Sequence, residues 1–141
     1  MIVELPGGAV VQATGLTRDG HDPDPDFGLY LDHRWEMMDL AWEHEVLAWP
    51  DFGVPSDREA THRAIRDAYG RAAAGERVEI GCLGGIGRTG TVLGCMAVLA
   101  GVPPTEARAW VRAHYHPLAI ETDDQHRFVV DSSDPTEPSP S

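Results

Sequence analysis

Cys82-Leu83-Gly84-Gly85-Ile86-Gly87-Arg88-Thr89 places a cysteine six positions before an arginine, with three glycines between them. A short apolar strand, Val78-Glu79-Ile80, leads in, with Cys82 expected just past its end, and an apolar helical run leads out. Strand, glycine-rich loop and helix in that order turn successive backbone N–H groups inward and make an anion nest at a helix N-terminus. The glycines let the backbone curl and approach a ligand. Arg88 falls at the helix start, where its planar fork can bind two oxygens of a phosphate. A thiol in the same positive field has a lowered pKa and exists largely as thiolate, the nucleophilic form. The Thr89 hydroxyl can hydrogen-bond the sulfur and help it leave from a thiophosphate. The expected chemistry is attack on phosphorus by Cys82, with Leu83, Gly84, Gly85, Ile86, Gly87 and Arg88 forming the phosphate loop.

Other readings of this segment compete. Gly85-Ile86-Gly87-Arg88-Thr89-Gly90 matches the GxGxxG dinucleotide fingerprint. However, no acidic residue ends a second strand about 20 positions on, and position 110 is a tryptophan inside a helical run. The Walker A pattern fails, because Cys82 stands where its first glycine belongs and Arg88 replaces its lysine. A structural turn with a buried cysteine stays open.

Two further segments carry groups that such chemistry needs. A phenolate or alkoxide leaves badly, and a positioned carboxylic acid that protonates it is worth ~10²–10⁴-fold. Asp51 in Trp49-Pro50-Asp51-Phe52-Gly53-Val54-Pro55 is the candidate; an ordinary Pro-Asp-x-Gly turn is the alternative. Glu121-Thr122-Asp123-Asp124-Gln125-His126-Arg127-Phe128 contains Thr122-x-x-Gln125, which also reads as a helix capping box.

Cys, five residues, then Arg-Thr-Gly resembles the active-site loop of the protein tyrosine phosphatases, and Gly85 to Thr91 is close to that of their tyrosine-specific branch. The segment Trp49 to Pro55 resembles the mobile loop that carries the family's general acid. Glu121 to Phe128 resembles its glutamine loop, in which a Gln orients the hydrolytic water. The resemblance implies a cysteine-dependent phosphatase with Cys82 as nucleophile, Arg88 as clamp, Asp51 as general acid, Gln125 as water-positioning residue and Thr89 assisting the sulfur. It implies phosphotyrosine in a protein or peptide as substrate and no cofactor or metal. A dual-specificity or small-molecule phosphatase is the alternative, and a catalytically silent phosphoresidue-binding module is a reading of another class. The family usually has His before the nucleophile, where it supports the loop and helps depress the thiol pKa. This chain has Gly81, so activity with a shifted pH profile is expected. The aromatic N-terminal motif that deepens the tyrosine-specific pocket is missing; Tyr30, Trp35 and Trp42 are the candidates for a pocket wall. The uncharged loop interior counts against a lipid substrate.

The elements that must position these groups can be read more coarsely. The chain has 141 residues, 42% hydrophobic and 24% charged, with a net charge of −12. One catalytic domain over residues 1–130 and a disordered polar tail over 131–141 are expected. All 11 basic residues are arginine, and an acidic chain without a basic stripe argues against nucleic acid and anionic membranes. No apolar run approaches the roughly 18 residues of a membrane span, and the start lacks a secretory layout, so a cytoplasmic protein is expected. Residues 1–16 read as a hairpin, Gly28 to Leu31 as a strand, 35–43 as ambiguous, and Glu45 to Trp49 as a strand ending at Pro50. Ser56-Asp57-Arg58-Glu59 reads as a capping box opening a helix that Gly75 closes. The helix from about Arg88 to Ala100 is apolar almost all round and therefore buried. Further helices are expected from Pro103 or Pro104 to about Tyr115 and from near Thr122. Cys95 reads as a core thiol and Trp110 as core. Asp22, Asp24 and Asp26 read as a solvated loop, and His114 and His116 as lacking a third metal ligand. The pattern is α/β with a central, at least partly parallel sheet; the resemblance implies a twisted, mostly parallel one flanked by helices, behind the N-terminal hairpin.

Overall fold

The computed structural model describes residues 1–15, 24–50 and 52–132. β1 (Ile2–Glu4) and β2 (Val10–Gly15) form the expected hairpin, and β3 (Phe27–Tyr30), β4 (Glu43–Val46) and β5 (Val78–Cys82) complete a sheet of order β1-β2-β5-β3-β4. Only the β1–β2 pair is antiparallel. Parallel neighbours need crossovers, and α1 (Arg58–Ala73) provides the one that returns the chain from the β4 edge to the central strand β5.

Strand side chains alternate between faces. Val11, Ala13, Leu29, Val78, Ile80 and Cys82 belong to the hydrophobic core. α1 and α2 (Gly87–Leu99) pack on the sheet, while α3 (Ala107–His114) and α4 (Asp123–Asp131) pack against α2. α2 is buried from Gly87 to Ala97, as its all-round apolar sequence predicts. The fit is close: a Cβ on Gly90 would lie 2.5 Å from the Ala119 Cβ, so only glycine lets the loop before α4 approach. Gln12, Thr14, Gly28, Tyr30, Glu79 and Gly81 occupy the alternate positions and face the other way.

Four boundaries differ from the sequence expectation. β4 covers Glu43–Val46 and not Glu45 to Trp49, because its register with β3 runs Phe27↔Glu43 to Tyr30↔Val46. Trp49 instead turns inward, edge-on to Phe128 with ring centroids 5.3 Å apart. Asp57, not Ser56, caps α1, its carboxylate accepting from Ala60 N at 3.0 Å. Cys82 is the last residue of β5, not one beyond it. The ambiguous 35–43 stretch begins in a 3-10 turn, His33–Met37, capped by Asp32. Asp131 belongs to α4 and Ser132 is buried behind it, while residues 133–141 of the expected tail lie outside the described residues.

His62 stacks on Phe128 at 3.9 Å, and its Nε2 donates to the Phe128 carbonyl at 3.1 Å. Burial, assisted by Arg66 and Arg58, holds its pKa below the ordinary value despite that carbonyl and Asp131. Below about pH 6.5 the unfolded chain takes up a proton that the folded imidazole resists, so acid weakens folding through this residue. The fall in thermal midpoint between pH 7 and pH 5 is therefore expected to be smaller in His62→Gln than in wild type, as thermal melts across that range would show.

Candidate active site

The strand–loop–helix segment builds a sulfur site. Cys82 sits at the end of the central strand, 2% exposed. Its Sγ accepts from the Gly85 N–H at 3.1 Å and from the Thr89 hydroxyl at 3.0 Å. Gly85 makes the first bond by adopting φ +78°, a left-handed conformation that favours glycine. A Cβ there would also lie 3.0 Å from the Thr14 carbonyl carbon of β2. α2 begins at Gly87, so its N-terminal N–H groups and dipole face the loop. Two converging donors suit a sulfur that carries negative charge. Two residues that sequence reasoning gave no role border the loop. The Tyr115 hydroxyl donates to the Gly85 carbonyl. The Glu121 carboxylate packs where a side chain on Gly87 would have to go.

Arg88 is 3% exposed and is held from behind. Its Nη1 donates to the Leu31 carbonyl at 3.0 Å and the Trp49 carbonyl at 2.8 Å, and its Nη2 to Asp32 Oδ2 at 3.0 Å. Arg34 Nη1 also reaches both Asp32 oxygens, at 3.0 and 2.8 Å. Burial alone would raise the Asp32 pKa. The Arg34 backbone N–H and the Arg88 and Arg34 guanidinium groups outweigh it and keep the carboxyl below the usual carboxylate range. Asp32 was not legible as a site residue: it precedes an ambiguous stretch, and its partner lies 56 positions away.

Gln125 serves the capping box that its sequence also allowed. Thr122 Oγ1 accepts from Gln125 N at 3.1 Å, while Gln125 Oε1 accepts from Thr122 N at 3.2 Å and Glu121 N at 2.8 Å. Its Nε2 donates to the Gly53 carbonyl at 3.1 Å, which also accepts from Trp49 Nε1 at 2.7 Å. The segment around position 51 is thus tied to Gln125 through Gly53 and to Arg88 through Trp49. Asp51 itself lies outside the described residues. The turn before Gln125 is fixed by Arg112, on the Ala119 and Ile120 carbonyls at 2.9 and 3.1 Å, and by Arg108 on Ile120 at 3.1 Å. These bonds hold Ile120 at φ 58°, which a β-branched residue rarely adopts.

The family described as Protein-tyrosine phosphatase matches residues 29–132, the span that contains Asp32, the loop from Cys82 to Arg88 and the segment around Gln125. The chain belongs to the protein-tyrosine phosphatase family. Two uncharacterized proteins of Methanocaldococcus jannaschii are 38% and 37% identical to this phosphatase over 102 residues, 70% of its length; it spans 67% and 62% of theirs. The structure of Tk-PTP in its active form superposes with a TM-score of 0.74 at 25% identity, covering 94% of this chain and 95% of that one. Kinase associated phosphatase shares the fold alone, with a TM-score of 0.65 at 16% identity over 78% of this chain and 69% of its own. The phosphatase is a phosphoric monoester hydrolase of this superfamily on a mostly parallel sheet flanked by helices.

In this phosphatase the three aromatic candidates for a pocket wall gather elsewhere. Tyr30 and Trp35 are 0% and 1% exposed and stack on each other, and Trp42 Nε1 donates to the Tyr30 hydroxyl at 2.9 Å. They cover the face of β5 that carries Gly81, because Tyr30 pairs directly with Gly81 in the sheet. Cys95 is fully buried, and burial pushes its thiol up to about 12, as suits a core residue. His114 stacks on Trp110 at 4.2 Å. Among the described residues, no group of three His, Cys, Asp or Glu could hold a metal, and no helix is long and apolar enough to cross a membrane.

Proposed function

We propose that this phosphatase hydrolyses phosphotyrosine in proteins or peptides through a cysteinyl-phosphate. The Cys82 thiolate attacks phosphorus in line, the bond to the ester oxygen breaks, and Asp51 protonates the departing phenolate. The loop N–H groups of Leu83 to Arg88 and the Arg88 guanidinium balance charge on the equatorial oxygens. Water held by Gln125 then attacks phosphorus, Asp51 takes its proton, and inorganic phosphate leaves with the thiolate restored. The observation that carries this reading is the pair of donors on Cys82 Sγ at the N-terminus of α2. An uncharged loop interior and a net charge of −12 favour a phosphoprotein over an anionic lipid surface. Neither cysteine is in a disulfide, which suits a reducing, cytoplasmic setting.

The test compares phosphotyrosyl and phosphoseryl peptides of one sequence, with wild type and Asp51→Asn. Wild type is expected to prefer the phosphotyrosyl peptide. Asp51→Asn is expected to lose ~10²-fold or more on it, and less on p-nitrophenyl phosphate, whose leaving group needs less protonation. Equal rates on the two peptides would replace the phosphotyrosine reading with dual specificity. An unimpaired Asp51→Asn would remove Asp51 from the mechanism.

A further inference from the structure

The peptide that carries Cys82 is held from the face of the sheet opposite the core. Trp35 Nε1 donates to the Cys82 carbonyl at 3.3 Å. The indole lies nearly parallel to the Tyr30 ring, with centroids 4.0 Å apart and 10° between the planes. Tyr30 is fixed in turn: its hydroxyl donates to Glu79 Oε1 at 2.6 Å and accepts from Trp42 Nε1 at 2.9 Å, while Glu79 Oε2 accepts from Gln12 Nε2 at 3.0 Å. Burial, and then the bond to Glu79, push the Tyr30 phenol far above its usual range, so it stays a protonated donor. The indole therefore rests on a ring whose hydroxyl remains a donor.

The size of residue 81 belongs to the same arrangement. A Cβ on Gly81 would lie 3.0 Å from Trp35 Cζ2 and 3.1 Å from both Thr14 Cγ2 and Tyr30 Cδ1. A large side chain at 81 and the indole of Trp35 would compete for one space. The chain fills that space from position 35, and the filling ring carries an N–H that reaches the carbonyl of the next residue, Cys82. The residues just before Trp35 hold the other functional side chain, since the Leu31 carbonyl and the Asp32 carboxylate bind Arg88. Residues 31–35 thus grip the catalytic loop at both its ends.

We infer that Trp35 is a positioning residue for the nucleophile: its indole N–H fixes the Cys82 peptide from behind and supplies the donor that Gly81 cannot. The bond orients the Cys82 backbone so that Sγ meets the Gly85 N–H and the Thr89 hydroxyl together. An indole N–H does not titrate, so the donor itself persists where an imidazole would change its protonation.

The inference rests on Cys82 being the nucleophile, and its test separates the two. Trp35→Phe keeps a ring on Tyr30 and deletes the N–H. Iodoacetamide labelling at fixed pH reads Cys82 directly, because trypsin leaves it on the peptide 78–88 and Cys95 on 89–108. Trp35→Phe is expected to slow Cys82 labelling and lower kcat on p-nitrophenyl phosphate, each by about fivefold, the scale of one neutral hydrogen bond, with KM nearly unchanged. Trp35→Ala opens room beside residue 81, and adding Gly81→His in that background is expected to recover part of the lost rate by restoring a donor. A folded Trp35→Phe with wild-type labelling and kcat would overturn the inference and leave Trp35 a packing residue. A wild-type Cys82 labelled no faster than in the urea-unfolded chain would remove the nucleophile reading itself, and the inference with it.

Discussion

Cys82→Ser is expected to leave no measurable turnover of a phosphotyrosyl peptide or p-nitrophenyl phosphate while the protein still binds inorganic phosphate. The substituted hydroxyl can occupy the place of the sulfur and accept from Gly85 and Thr89. What it cannot do is ionise near neutral pH, and the two groups contacting the sulfur are donors, so neither can take its proton. The expected loss is on the order of 10⁴-fold or more, the scale on which removing a nucleophile acts. The loop N–H groups, the N-terminus of α2 and Arg88 do not depend on the sulfur, so the anion site persists. Steady-state assays beside calorimetric phosphate titration check both halves. Turnover close to wild type would eliminate the cysteinyl-phosphate. Loss of phosphate binding together with turnover would mean that Cys82 builds the loop as well as reacting in it.

The loop from Cys82 to Arg88 was legible because its geometry is local. A strand, a run of glycines and an apolar helix dictate where the N–H groups point, whatever the rest of the chain does. The same holds for the hairpin at the start and for the burial of α2. The groups that brace the loop were not legible, because each meets its partner across the sheet. Trp35 reaches Cys82 over 47 positions and Asp32 reaches Arg88 over 56. No periodicity records such a pairing, and a tryptophan in an irregular stretch reads as readily as a pocket wall as a buried brace. Trp49 shows the converse failure. Its apolar character extended the expected strand, but tertiary packing against Phe128 won over the local pattern. Ser56 and Asp57 are both good caps, and only the geometry of the first turn chose Asp57.

Gln125 and Gly81 show how a local reading and a functional one coexist. The capping box holds Gln125 rigid, and the same side chain donates to Gly53 in the segment that carries Asp51. The water-positioning role proposed for Gln125 would have to use a side chain that these bonds already fix. Gly81 looked like a loss when seen beside Cys82 alone. Set against Trp35 and Tyr30, it is the vacancy that two aromatic rings require.

The second large effect belongs to Asp32. Asp32→Ala is expected to destabilise the fold by about 3–5 kcal/mol, since removing the carboxylate of a buried ion pair leaves the Arg88 charge buried without that counter-ion. Both side chains are 3% exposed, and two arginines converge on this carboxylate. Against a typical total of about 5–15 kcal/mol the loss is severe, and the thermal midpoint should fall by about 10 °C or more. Asp32→Asn keeps the shape and an acceptor oxygen, so it should fold and serve as the working comparison. Because the folded carboxyl titrates below its ordinary value, its stabilisation is fully present above about pH 3.9 and is lost as pH falls through the lower folded value. The stability gap between wild type and Asp32→Asn should therefore hold constant from pH 8 to about 5 and close only in stronger acid. Phosphate affinity should fall in Asp32→Asn as well, because Nη2 of Arg88 then faces an uncharged amide and the guanidinium loses the anchor that aims it. A gap that closes already near pH 6 would show that the folded carboxyl is not held below its ordinary range, whereas an unchanged midpoint with unchanged phosphate affinity would show that Arg88 is held well enough without Asp32. It would also mean that desolvation of the Asp32–Arg88 pair cancels its attraction.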